Sequence, residues 1–557
     1  MATLIRKRRA WLLTLVYNLH PHLRLIFTSS TRHYTTVLFL SGRRLNNSSN
    51  NKTFWAASAT ILKAPETELV MRLHKIVLLA LAIVTSPMVL ATDAADFNEL
   101  DKYLTTAEAN GFSGAVLIAE DGKLRLNKGY GKTERQGSTP ITADTLFDTG
   151  SVTKQFTAAA VMHLVQQGKL STAMPISRFF NSLPEDKQAI TLHQLLTHSA
   201  GIANGIGARD FTHVPTDEFF KRLFALPLYF APGEGYAYSN AGYSILARII
   251  ELVSGMSYEA YLQNALFEPA GMHHTGYLNP VLAQLPAAAG YLFGEVETGS
   301  TRDKYFEDEA IAWPLKGNGG MLSTMNDMYL WAQALQRDSV LAAKYRDQLF
   351  EPHVAENEEG TSHYGYGWAV MPTPRETTFI GHNGSNGTYY FDFRWLPDEQ
   401  ILILFASNAL VESTMALPYY IEQYLFEKEP LPAFETGITS QIAGLSLRTA
   451  GNPERKKAVL QETFASRIDN KRTLNRAGLR LMDNERYNDA IALLLLNVDL
   501  FRDDGNLWDS LGEAYFVNGQ YAQAKQAFTQ AIELKPAENC YWCDNSAARL
   551  RQISTAD

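Results

Sequence analysis

The stretch F-D-T-G-S-V-T-K-Q-F-T-A-A-A-V-M-H-L-V-Q-Q-G, from Phe147 to Gly168, organises the chain. Thr149 or Ser151 is suited to cap a helix start, and Gly168 to end it. Between them Phe156, Ala159, Ala160, Leu164 and Val165 recur at helical spacing, which predicts a buried amphipathic helix. Ser151 stands at its mouth, with Lys154 one turn further on and on the same face. A serine hydroxyl is a weak nucleophile until a base takes its proton. A lysine shielded from water can have its pKa lowered far enough to serve or assist as that base. The helix start also favours negative charge developing beside it. An S-x-x-K spacing alone turns up about once by chance in a chain this long, so partners elsewhere decide its meaning.

Working outward, the 557 residues are 46% hydrophobic and 19% charged, ordinary globular composition with room for two to four domains. The formal charge of -8 is uneven: residues 1–70 hold ten Lys/Arg and two acids, while 71–557 hold 40 basic and 56 acidic side chains, a net of -16. An acidic main body argues against a nucleic-acid partner. The two cysteines, Cys540 and Cys543, cannot fill a four-ligand zinc site, and are either a local disulfide or a plain pair of thiols. The chain shows no H-E-x-x-H and no clustered carboxylates, so neither a metal nor a cofactor is expected.

Met71-Arg-Leu-His-Lys75 followed by an apolar run to Ala91 has the pattern of a secretory signal peptide, cleaved after Ala91 to leave a secreted or periplasmic protein. It is short for a membrane span and interrupted by Pro87, so no stable span is expected after cleavage. Residues 1–70 then read as upstream sequence, the alternatives being an internal signal-anchor or a transit peptide. Ser113–Glu120 and Lys123–Tyr130 form a hairpin about Asp121-Gly122. Thr388–Leu396 and Gln400–Ser407 form another. Leu170–Phe180, Thr191–Leu196, Ser244–Val253 and Asn326–Gln336 read as helical. Strands at both ends with helices between predict a mixed α/β (α+β) fold, one antiparallel sheet flanked by helices with an all-helical subdomain, over 96–426. Residues 427–452 read as a linker. Over 453–557 a 34-residue period places Trp508, Leu511, Gly512, Tyr515, Tyr521, Ala524 and Phe528 on the tetratricopeptide pattern. A weaker copy runs through Leu474, Ala477, Gly478, Leu481, Tyr487, Ala490 and Leu494, with helices near 453–468 and 538–551 as caps. A protein or peptide partner suits such a region.

Y-S-N at 238–240 and H-N-G at 382–384 stand downstream of S-V-T-K at 151–154. A lone Y-x-N, or a His beside glycines, means little; the three in this order mean more. With their flanks, L-L-T-H-S-A-G, Y-A-Y-S-N-A-G-Y and G-G-M-L-S-T-M-N-D-M, they make residues 96–425 resemble the serine β-lactamase-like family of class C β-lactamases, D-alanyl-D-alanine carboxypeptidases, esterases and peptidases. The resemblance implies a serine hydrolase acting on a small-molecule or peptide amide or ester through an acyl-enzyme. Ser151 would be the nucleophile, Lys154 its neighbour and Tyr238 the proton relay. Asn240 would orient Lys154 or the substrate amide. His382 stands where many lactamases carry the Lys of K-T-G, which points toward esterase and peptidase relatives. Past Gly384, the Ser385 N–H would join that of Ser151 in an oxyanion hole. Lys154 and Tyr238 are expected to share one proton and titrate as a unit. A binding or scaffold protein acting through its repeats is the alternative. Tyr236, Tyr243, Trp313, Tyr366 and Trp368 are candidates to line the pocket, though large aromatics more often fill cores.

Overall fold

An eight-stranded, wholly antiparallel sheet forms the backbone of the main unit, Ala95–Asp557. The computed structural model describes residues 97–556 apart from 309, 537–539 and 541, together with four strands between 11 and 64. Those four strands, Trp11–Thr14, Arg24–Thr31, Tyr34–Asn46 and Thr53–Ala64, belong to a separate unit, Met1–Ala94, where they pair antiparallel in chain order. The signal-peptide stretch 71–91 lies outside the described residues.

In the main sheet the chain's early hairpin, Gly114–Glu120 and Lys123–Tyr130, adds to the late strand Ile401–Ser407, with Leu117 opposite Leu404. Tyr390–Leu396 and Thr378–Ser385 follow on the other side. Ala369–Pro372 and two short strands reach the far edge. Both faces are covered, so alternate side chains feed two cores. Ala115, Leu117, Phe391, Phe393 and Leu404 face the core that includes the serine helix. Val116, Ile118, Ile403 and Phe405 face helices Phe97–Ala109 and Glu412–Glu427 through Leu100, Leu104, Leu417 and Ile421.

The serine helix runs Thr153–Gln166, and Gly168 ends it with φ +70°. It is buried all round from Thr153 to Met162 rather than on one stripe, because it passes between the sheet and the helical insert. Neither expected cap forms. The Thr149 hydroxyl donates to the Met321 carbonyl (2.9 Å), and Ser151 occupies a 3₁₀ turn, Gly150–Val152, ahead of the helix. Leu170–Phe180 yields only the turn Ile176–Arg178, while Thr191 caps Leu192–Leu196 in a capping box with Gln194.

The stretch expected as a linker carries a helix, Ile438–Arg448, whose Ile442 and Ala443 are fully buried. Beyond it come helix pairs Lys471–Asp483 with Tyr487–Leu500 and Gly505–Val517 with Tyr521–Glu533, flanked by Pro453–Phe464 and Cys543–Ala556. Gly478 meets Leu494, and 34 residues on Gly512 meets Phe528, so both pairs cross at the same small residue. Cys540 and Cys543 are joined in a disulfide.

Candidate active site

Ser151, Lys154, Tyr238, Asn240, His382, Gly384 and Ser385 converge where the sheet meets the helical insert, on a cleft of about 690 Å³ that Ser151, Tyr238, His382 and Ser385 line directly. Lys154 is wholly buried. Its Nζ lies 3.1 Å from Ser151 Oγ, 2.8 Å from Asn240 Oδ1 and 2.6 Å from the carbonyl of Asn318. Burial holds the amine well below the ordinary lysine range, with the Asp210 carboxylate working the other way. Two of the three neighbours can only accept, so they take two N–H groups. The third direction on Nζ faces the serine hydroxyl. In the neutral amine that direction is the lone pair.

Tyr238 is reached by a loop that ends in a helix start: Ser239 caps Asn240–Ser254 by accepting from Gly242 N–H (3.0 Å) and donates to the Ala203 carbonyl (2.9 Å). Burial pushes the Tyr238 phenol up, with the Ser151 hydroxyl opposing. The lysine does not meet the phenol oxygen. Its Nζ sits over the ring face, 4.6 Å from the centroid. The expected shared proton is therefore corrected: the amine lies over the ring instead of at the oxygen, and desolvation drives the pair apart, amine down and phenol up.

The carbonyl of Asn383 lies 2.6 Å from His382 Nδ1 and can only accept, so Nδ1 carries the proton. Nε2 then accepts from the Tyr364 hydroxyl (2.9 Å). Burial is the largest cause lowering its pKa to about 3, and protonation of Lys154 would add to it. His382 is a neutral residue where a lysine would be a cation.

The Ser151 turn and the strand Thr378–Ser385 are brought together by two glycines. A Cβ on Gly384 would stand 2.0 Å from the Thr149 carbonyl and 2.6 Å from Ser151 N; one on Gly150, whose φ is +50°, would stand 2.4 Å from Ser385 N. Only glycine permits this approach, which sets the backbone nitrogens of Ser151 and Ser385 side by side. Asp148 ties the same junction. Its Oδ1 accepts from Gly150 N–H (2.7 Å), and its Oδ2 from Asn386 Nδ2 (2.7 Å) and Thr301 Oγ1 (2.9 Å). Burial raises its pKa to about 6.

Sequence reasoning missed Asp148, Asn318 and Asn386. Asn318 sits in the segment Gly317-Asn-Gly-Gly320, whose carbonyls are held by the hydroxyls of Thr157 on Gly317, Tyr277 on Gly319 and Tyr305 on Gly320. The candidate pocket aromatics Tyr243, Trp313, Tyr366 and Trp368 are core; Tyr364 and Tyr419 line the cleft instead.

The Beta-lactamase family model matches residues 100–425. The chain belongs to this family, the serine β-lactamase-fold hydrolases. A tetratricopeptide repeat model matches 505–538. The chain is similar to a penicillin-binding protein of Bacillus subtilis (strain 168), at 30% identity over 319 residues, 55% of this chain and 70% of that one. It is similar to esterase EstB of Burkholderia gladioli, at 33% identity over 192 residues, 30% of this chain and 47% of that one. Among solved structures it is similar to the octameric penicillin-binding protein homologue from Pyrococcus abyssi, with a TM-score of 0.52 and 26% identity, covering 64% of this chain and 82% of that one.

Proposed function

We propose that this protein is an exported serine hydrolase that cleaves carboxylic esters or amides through an acyl-enzyme on Ser151. The carrying observation is the set of three neighbours around Lys154 Nζ, which leaves its lone pair directed at Ser151 Oγ. The Ser151 proton passes to Nζ as Oγ bonds to the substrate carbonyl carbon. The carbonyl π electrons move to oxygen, which the N–H groups of Ser151 and Ser385 hold. As the tetrahedral species collapses, the leaving group takes a proton from the Tyr238 phenol; the tyrosinate recovers one from the water of the next step, and Lys154, 3.1 Å from Ser151 Oγ, keeps its proton to return to the departing serine. Water then attacks the acyl-enzyme and Ser151 leaves protonated.

The substrate reading rests on charge. The cleft is lined by Glu356, Asp392 and Glu422 against a single cation, Arg394, which is bonded to Asp392 and Glu422. With His382 neutral, no described lining residue offers a free positive charge to a substrate carboxylate. Esters and amides without a carboxylate beside the scissile bond fit best, ahead of β-lactams and D-alanyl-D-alanine peptides. Export rests on the 71–91 pattern; among the described residues no helix is long and apolar enough to cross a membrane. The helical repeats offer a surface to a protein partner.

Intact mass after fluorophosphonate treatment tests the site, with an adduct expected in the wild type and none in Ser151→Ala. Rates on p-nitrophenyl esters, nitrocefin and D-alanyl-D-alanine peptides rank the substrates, with the esters expected fastest. No adduct with any acylating probe, and equal rates for wild type and Ser151→Ala, would leave only a scaffold.

A further inference from the structure

The T-H-S-A-G segment, Thr197 to Gly201, has no part in the proton path above, yet its histidine is built into the site. His198 is 1% exposed and has φ +57°, in the left-handed region that non-glycine residues adopt only at a cost in backbone strain. The turn around it is over-determined. Thr197 Oγ1 donates to the His193 carbonyl (2.8 Å), and the Ser199 N–H donates to the Gln194 carbonyl (2.9 Å). Gly201 approaches the Phe230 carbonyl so closely that a Cβ would lie 2.3 Å from it.

From that strained position His198 grips the neighbours of Tyr238 on both sides. Its carbonyl accepts from the Ala237 N–H (2.9 Å), and its Nδ1 accepts from the Ser239 N–H (3.1 Å). Between those bonds its ring lies 4.2 Å, centroid to centroid, from the Tyr238 ring. Tyr364, the hydrogen-bond partner of His382, packs on the same imidazole at 4.6 Å. Because Nδ1 accepts, the neutral ring carries its proton on Nε2, and that buried N–H has no partner among the described residues. Burial pushes the imidazole well below its ordinary range, in favour of that neutral form. A left-handed backbone and an orphaned N–H at one residue are features a stability-driven site would lose.

We propose that His198 is the positioning residue for Tyr238: it fixes the phenol in place by accepting from the N–H groups of Ala237 and Ser239 on either side of it and by packing against its ring. This rests on the reading of Tyr238 as the acid for the leaving group. His198 itself touches neither substrate nor Ser151.

Three variants separate the parts. His198→Asn keeps an acceptor in the place of Nδ1 and tolerates the left-handed backbone, but loses the ring. His198→Ala loses acceptor and ring. Tyr238→Phe removes the phenol itself. Ester kcat is expected to fall about 10²-fold in His198→Ala, the usual cost of a displaced catalytic group, with KM little changed and most of the loss recovered in His198→Asn. Amide hydrogen exchange at Ser239 reports the grip without any turnover. Protection is expected in the wild type and in His198→Asn, and rapid exchange in His198→Ala. His198→Ala in the Tyr238→Phe background should cost nothing further in kcat.

Unchanged Ser239 protection in a folded His198→Ala would overturn the proposal, as would additive losses in the double variant. If wild type and Ser151→Ala prove equally inactive, the hydrolase reading fails, while the Ser239 exchange result still tests the grip.

Discussion

Replacing Gly384 by alanine tests the junction on which the proposed chemistry depends. The added methyl carbon would stand 2.0 Å from the Thr149 carbonyl oxygen, where real contacts do not fall below 3.0 Å. The atoms it meets are main chain on both sides, Thr149 O and Ser151 N, so no side chain can swing away. The strand Thr378–Ser385 and the serine turn must therefore part by about 1 Å. That is enough to carry Ser385 N–H out of bonding range of a developing oxyanion whose other donor is Ser151 N–H. Loss of one such donor costs about 2.7–4 kcal/mol, or roughly 10²–10³ in rate. The lysine cage of Asn240 and Asn318 lies on the other side of Ser151 and stays intact, so the loss should appear in acylation with little change in KM. Stopped-flow acylation by a p-nitrophenyl ester, with thermal unfolding as the check on folding, measures it. A folded Gly384→Ala variant that acylates as fast as the wild type would refute the oxyanion assignment and the close-approach argument behind it.

Other expectations follow from the titrating groups. The acid limb of kcat/KM should report Lys154, with activity lost as pH falls through its depressed pKa; Asp210→Asn removes the charge that favours the ammonium and should move that limb to lower pH. In ¹⁵N-histidine spectra His382 should stay neutral from pH 8 to pH 5 with its proton on Nδ1, since its pKa is lowered to about 3; a signal titrating in that range contradicts the site geometry. Asp148, raised to about 6 from an unfolded value near 3.8, is more readily protonated when folded. Its burial therefore opposes folding fully above pH 6, by about 3 kcal/mol, and the penalty vanishes below pH 4. Asp148→Asn should flatten the dependence of unfolding temperature on pH across that window, and an unaltered slope would count against the assignment.

How much of this was legible beforehand differs by kind of interaction. Strands such as Lys123–Tyr130, and the 34-residue spacing of Gly478 and Gly512, rest on side-chain periodicity, which a sequence displays directly. Ser151, Lys154 and Asn240 meet in space because their spacing fits a helix start facing a second helix start. The Asn318 contribution was hidden, because a carbonyl acceptor is common to every residue type and only the fold says which one points at Nζ. Asp148 was hidden for another reason: its partners Thr301 and Asn386 lie 153 and 238 residues away. The shared lysine–tyrosine proton was the natural expectation from residue types alone. It fails on orientation, since the amine lies over the ring instead of at the oxygen. The helix Ile438–Arg448 was masked by its short length, by Gly437 at its N-cap and by Gly444 within it, and it folds because the region packed around it buries Ile442 and Ala443.

The hairpin tip at Leu292 and Phe293 has a practical bearing. Both side chains belong to the same apolar cluster as Ile442, Leu460, Leu474 and Leu493, and the Arg480 guanidinium rests on the Phe293 ring while donating to the carbonyls of Gly387 and Leu410. The edge of the family match at residue 425 is thus a boundary of ancestry and not of cooperativity. A fragment ending there would leave two greasy side chains bare and the loop after Ser385 without its brace. Anyone preparing the hydrolase portion for crystallisation or assay should carry the first helices of the tail along with it.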